Sequence, residues 1–169
     1  MPGRRARPPA RPGEDDAAGA PVALDATDLV ILRVLQGNAR ATFTEIGKAV
    51  GLSAPSAHDR VHRLERRGVI RGYHARIDPA TLGLRVVALV GVIPAGSPDT
   101  VAMEAAFAAI GQIEAAHSVA GEESHVLVVR TRTVAELAEV LQRIRGVEGV
   151  ARARTSVVLS TAFERGPAV

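Results

Sequence analysis

From residue 84 onward, short apolar runs alternate with stretches of helical spacing, and their order leaves few folds open. Val86-Val87-Ala88-Leu89-Val90 lies in a run of strand length at 84–93. Ser97-Pro98-Asp99 then starts a helix with Met103, Phe107 and Ile110 on one face. Residues 113–119 and 125–132 are strands on either side of a tight loop at 121–124. Leu137, Val140, Leu141 and Ile144 recur at i, i+3, i+4 and i+7, a helix that Gly146 ends. Residues 150–160 form a last strand. The order β-α-β-β-α-β is that of a ferredoxin-like domain.

The preceding block, 22–72, carries three stretches of helical period. Ile31, Leu32 and Leu35 share a face, with Asp25 or Thr27 as cap and Gly37-Asn38 as stop. Thr42-Phe43-Thr44-Glu45 fits a capping box: the Thr42 hydroxyl meets the Glu45 amide and the Glu45 carboxylate reaches back. Gly51-Leu52 makes a turn, and Ser53 caps a third helix running to Arg67, with Pro55 tolerated in its first turn. Gly68 closes that helix, and Val69, Ile70 and Tyr73 form a short extended segment. Short helices joined by a glycine turn, ahead of a capped third helix, spell a helix-turn-helix. Residues 73–83 are expected as a hinge, turning at Asp78-Pro79.

Composition narrows the chemistry. The chain of 169 residues has room for one large or two small domains. With no cysteine, it has no disulfide, thiolate nucleophile or Cys-type zinc site. Residues 1–21 are Pro, Gly, Ala and charge, which cannot bury a core and are expected to form a disordered tail; 164–169 is a second tail. No apolar run approaches the ~18 residues of a membrane span, and no apolar stretch follows the N-terminal arginines. A cytoplasmic protein without membrane association is therefore expected.

Charge is unevenly placed. Between Ser53 and Arg76, six arginines face only Asp59 and Glu65, a local excess of four. Residues 84–169 hold eight basic against nine acidic groups. Positive charge thus gathers on the helix that would enter a major groove, the footprint expected of a DNA binder. His58 and His62 stand at i, i+4, but no third ligand is evident and no metal site is expected. Taken alone, Gly121-Glu122-Glu123-Ser124-His125 is a hairpin loop with solvated glutamates.

Many positions carry a resemblance to the Lrp/AsnC, or feast/famine, regulators. These include Asp25, Asp28, Ile31-Leu32, Leu35-Gln36, Arg40, Ile46 and Gly51-Leu52-Ser53. Arg60-Val61, Arg63-Leu64-Glu65, Gly68-Val69-Ile70, Gly72-Tyr73, Asp78-Pro79 and Leu82-Gly83 continue the match. It resumes at Ser118-Val119-Ala120-Gly121-Glu122, Leu127-Val128-Val129, Gly149-Val150 and Thr155, so that it covers about 23–163. The resemblance implies an α+β chain. An N-terminal helix-turn-helix (winged-helix-like) domain is joined by a hinge to a ferredoxin-like βαββαβ domain at 84–163, the RAM domain, which binds ligand and assembles subunits. It also implies homodimers, often four to an octamer, a nucleoid location, and an amino acid or related metabolite as effector with no other cofactor.

Carried over residue by residue, the resemblance places double-stranded DNA against Ser53, Ser56, Asp59, Arg60 and Arg63, with Arg66 and Arg67 as phosphate partners. It places the effector against Gly121, Glu122, Glu123, Ser124, His125 and Thr155. Pro55 stands where the family usually has a polar residue, and Ala57 where it has a larger aliphatic one. Ser124 replaces the family's usual aspartate, His125 an aromatic residue, and Ala153 a frequent threonine. Two other functions compete. One is an architectural, nucleoid-type DNA binder without an effector. The other is an enzyme akin to haem-precursor decarboxylases, which share this architecture and would use His117 or His125. No catalytic residue is expected, because neither a Ser-His-Asp spacing nor an HExxH motif occurs.

Overall fold

A computed structural model describes residues 23–168; the expected tail at 1–21 lies outside the described residues. The chain forms two compact units. One comprises residues 23–76 together with 164–168, and the other Ile77–Phe163. No helix among the described residues is long and apolar enough to cross a membrane.

The first unit consists of helices α1 (Ala26–Gly37), α2 (Phe43–Val50) and α3 (Ala54–Arg66). Each begins at a side-chain cap. Asp25 accepts from the Asp28 amide, and the Asp28 carboxylate reaches back to the Asp25 amide. Thr42 and Glu45 form the same reciprocal pair at α2. Ser53 Oγ accepts from the Ser56 amide at α3. Gly51 and Gly68 take left-handed φ values of 70° after α2 and α3. Ile31, Ile46, Ala57, Val61 and Leu64 make the buried core, with Val50, Val69 and Ile70 packed on it. Gly47 is needed at one spot: a β-carbon there would meet the Leu52 carbonyl oxygen at 2.5 Å, so α2 and the following turn pack only through glycine. The stretch after Gly68, expected as extended, bends at Val69 and Ile70 and pairs with no strand, so the described residues of this unit contain no wing.

The second unit opens with a 3-10 turn, Pro79–Leu82, capped by Asp78. This turn lies within the segment expected as a hinge, at the expected Asp78-Pro79. Strands β1 (Val86–Pro94), β2 (Ile113–Ser118), β3 (His125–Thr131) and β4 (Val150–Val157) form one antiparallel sheet in the order β2-β3-β1-β4. Helices α4 (Thr100–Ala108) and α5 (Val134–Arg145) cross between strands, capped by Asp99 and Thr133. Alternation sends Ala88, Val90, Val92, Leu127 and Val129 into a core shared with Met103, Phe107, Leu137, Val140 and Ile144. Each large side chain so buried contributes about 1.5–3 kcal/mol. Val87, Leu89, Val126 and Val128 fall on the opposite face, where Leu89 remains 42% exposed.

Candidate DNA-contact helix and effector loop

Helix α3 presents two differently used sides. Its first turn is held by Ser53, whose hydroxyl also lies 2.9 Å from the Ser56 hydroxyl. Ser56, Asp59 and Arg66 are exposed. Arg60 and Arg63, expected to meet DNA, turn toward the start of α1. Arg60 Nη1 donates to Asp25 Oδ2 at 2.6 Å and to Asp28 Oδ1 at 2.9 Å. Arg63 Nη2 donates to Asp28 Oδ1 at 3.1 Å. Asp28 is only 2% exposed, and burying a carboxylate is costly unless it is paired. The pull on the two guanidinium groups is therefore strong. The Arg60 hydrogen bond, reinforced by the Asp28 amide, lowers the pKa of the Asp25 carboxyl. Asp25 and then Asp28 raise that of Arg60. Arg67 Nη2 donates to the Ala23 carbonyl at 3.1 Å.

Ala57, which stands where the family has a larger aliphatic residue, is fully buried within the core cluster. His58 and His62 sit in edge contact, ring centroids 4.3 Å apart, with the Phe43 ring 4.8 Å from His58. Their Nδ1 atoms lie 3.3 Å from Asp59 and 2.7 Å from Glu65. Among the described residues, no group of three or more potential metal ligands occurs.

The β2–β3 loop carries the second candidate site. Glu122 reaches Arg152 at 3.6 Å and Arg154 at 3.5 Å, and Glu123 reaches Arg154 at 3.6 Å. With Val119, Ala120 and Gly121, these glutamates and Arg154 line an open depression of about 200 Å³. That is below the roughly 300–1,000 Å³ of a complete small-molecule pocket. The expected effector residues do not all converge there. His125 is 1% exposed; its Nδ1 lies 3.0 Å from Ser124 Oγ, its Nε2 3.3 Å from Glu104 and its ring edge-on to Phe107. It therefore belongs to the helix-covered side of the sheet. Thr155 pairs in register with Val90 and shares that side, whereas Arg154 pairs with Gly91 and faces the other way.

Sequence reasoning missed three participants. Asp28 stands out in the sequence only through the resemblance, although an Asp three residues after a capping Asp is a capping-box signal. Arg152 and Arg154 are two apart on a strand, which alone places them on one face.

A helix-turn-helix with a capped basic third helix, coupled in one chain to a ferredoxin-like domain with an ion-paired loop, defines a class: DNA-binding transcriptional regulators with a ligand-binding domain. The comparisons agree. An AsnC-type helix-turn-helix domain matches residues 24–65, and an Lrp/AsnC ligand binding domain matches 85–168. The HTH-type transcriptional regulator LrpA of Mycobacterium tuberculosis is 40% identical over 141 residues, covering 83% of this chain and 93% of LrpA. A feast or famine regulatory protein of M. tuberculosis, solved in complex with L-methionine, matches with a TM-score of 0.78 at 40% identity, covering 84% of this chain and 96% of that one. A transcriptional regulator of Neisseria meningitidis, also solved with L-methionine, matches with a TM-score of 0.80 at 28% identity, covering 85% and 94%. The chain belongs to the Lrp/AsnC family of transcriptional regulators.

Proposed function

We propose that this regulator reads specific double-stranded DNA through the outward side of α3 and changes its DNA affinity when an amino acid binds at the β2–β3 loop. The observation that carries the reading is the capped α3. Its first turn presents Ser56, its second Asp59 and its last Arg66, and its inner side is ion-paired to α1. A rigidly seated helix with a free N-terminal turn suits base-edge contact in the major groove. Ser53 leaves α3 amides near where a phosphate would lie. Arg66 and Arg67 flank that contact on the backbone side.

The effector contacts are Gly121, Glu122, Glu123 and Ser124, with Arg154. Paired carboxylates and guanidiniums suit the ammonium and carboxylate groups of an amino acid, and the bound L-methionine of two relatives supports that ligand class. The depression is too small to enclose a ligand, so a second subunit completes it. Homodimers form across the apolar sheet face of Val87, Leu89, Val126 and Val128, and four dimers make the octamer. The effector then shifts assembly or head spacing, which requires different affinities for the two states. The protein works in the cytoplasm, on the nucleoid, and catalyses no reaction. The burial of His125 beside Glu104 speaks against a tetrapyrrole contact through that residue.

The test is fluorescence anisotropy with the protein's own upstream DNA and with random DNA, at one salt concentration, with and without amino acids. A ratio of about 10³ or more between the two DNAs, altered by an amino acid, supports the reading. Equal affinities would make it an architectural binder instead.

A further inference from the structure

Arg60 and Arg63 lie on the helix proposed to enter DNA, yet both are occupied by carboxylates from another helix. Asp28 reaches both, and Asp25 reaches Arg60 at the shortest of the three distances, 2.6 Å. Asp28 is nearly inaccessible, whereas the Arg60 and Arg63 side chains keep 27% and 43% exposure. The guanidinium groups thus lie near the surface but point inward, held by a buried anion. We propose that Asp28 and Asp25 hold down sequence-independent DNA affinity by withdrawing these two arginines from phosphate contact. The proposal rests on α3 being the DNA-contact helix.

The reason lies in how each contact is paid out between right and wrong DNA. A cation that neutralises a phosphate releases counterions and strengthens binding to every sequence alike. Base-edge contacts strengthen binding to one sequence only. From Ser53 to Arg76 the six arginines exceed Asp59 and Glu65 by four charges; the two α1 aspartates halve that excess. Neutralising Arg60 and Arg63 inside the domain therefore lowers the sequence-independent share of binding. It also fixes α3 against α1, which keeps its outward side chains in register with the groove. Asp28 and Asp25 are thus positioning residues that act through the two arginines.

The two roles separate in the salt dependence. Asp25→Asn is the cleaner variant, because Asn caps a helix about as well as Asp and only the charge is lost. Asp28→Asn removes the shared anion, which frees Arg63 and leaves Arg60 to Asp25 alone. Binding to the upstream site and to random DNA is measured across a salt series, with circular dichroism and thermal melting to show that each variant is folded. The log–log salt slope is expected to steepen by about one for either variant. Random-DNA affinity rises severalfold, and upstream-site affinity rises with it. Adding Arg60→Gln to Asp25→Asn returns the slope to the wild-type value.

Folded variants with wild-type slopes, or with both affinities falling in parallel, would overturn the proposal and leave the network a purely structural clamp. If Asp28→Asn does not fold, Asp25→Asn and its double variant decide. A wild-type protein that fails to distinguish the two DNAs would instead remove the DNA-reading function itself, a result visible before any variant is made.

Discussion

Glu123 lays its carboxylate over the α-carbon of Gly91, in the space a methyl group at that position would fill. Gly91 pairs in register with Arg154, so the glycine leaves room for the carboxylate on the strand beside its guanidinium partner. Gly91→Ala is expected to push Glu123 off the strand. Because the displaced atoms end a flexible side chain, the melting temperature should change little, by less than about 1 kcal/mol equivalent. The effector response should nevertheless weaken strongly, which a thermal-shift titration with amino acids would show. A variant responding like wild type would separate Glu123 from the effector.

Thr155 Oγ1 is buried without a hydrogen-bond partner. A buried hydroxyl that makes no bond costs stability, so Thr155→Val should leave stability within about 0.5 kcal/mol or raise it. Lying across β4 from Arg154, it should also leave the effector response intact. Denaturant unfolding and the same titration check both halves; loss of the response would return Thr155 to the effector set.

Tyr73 donates its hydroxyl to Glu65 Oε1 at 2.9 Å. Desolvation first, and then the Glu65 bond and charge, push the phenol from its ordinary 10 up to about 12. The folded pKa is the higher one, so the contribution is complete below pH 10 and is lost as pH rises toward 12. Tyr73 is the only tyrosine and the chain has no tryptophan, so phenolate absorbance reports it directly. Ionisation is expected well above 10, moving down in Glu65→Gln. A midpoint at the ordinary value in the folded protein would contradict the contact.

Thr42 and Glu45 cap α2 reciprocally: the Glu45 amide donates to Thr42 Oγ1, and the bonds that the Thr42 amide and then the Thr42 hydroxyl donate to the Glu45 carboxylate lower its pKa. Thr42→Ala should cost about 1 kcal/mol in chemical denaturation of the helix-turn-helix unit. A loss below the error of the measurement would show that the cap contributes nothing beyond solvent.

Glu122→Ala removes the carboxylate that meets both Arg152 and Arg154. DNA affinity without effector should stay at the wild-type value while the amino-acid response disappears. An unaltered response in the anisotropy assay would sink the loop assignment.

Much of the molecule was legible one segment at a time. Thr42 with Glu45, Ser53 at the start of α3 and Gly146 after α5 act on amides within a turn or two, so their meaning is complete in a short window of sequence. The β-α-β-β-α-β order followed from changes of period, and the sheet order β2-β3-β1-β4 is the one such a chain builds. The surplus of arginines on α3 could likewise be counted before any fold was known.

The direction of those arginines could not. Arg60 meets Asp25 across 35 positions and Arg63 meets Asp28 across 35, and only the packing of α1 against α3 brings them within hydrogen-bond reach. The effector loop divides for the same kind of reason: Ser124 and His125 are neighbours in sequence with Glu122 and Glu123, yet His125 enters the core beside Phe107 while the glutamates meet arginines from β4. The sequence by itself determined where helices and strands begin, which faces are apolar and where charge accumulates, because those depend on near neighbours and period. Tertiary structure decided which charges are spent inside the protein and which remain for a partner. A side chain's partner depends on distances in space, and those exist only once the two cores have closed.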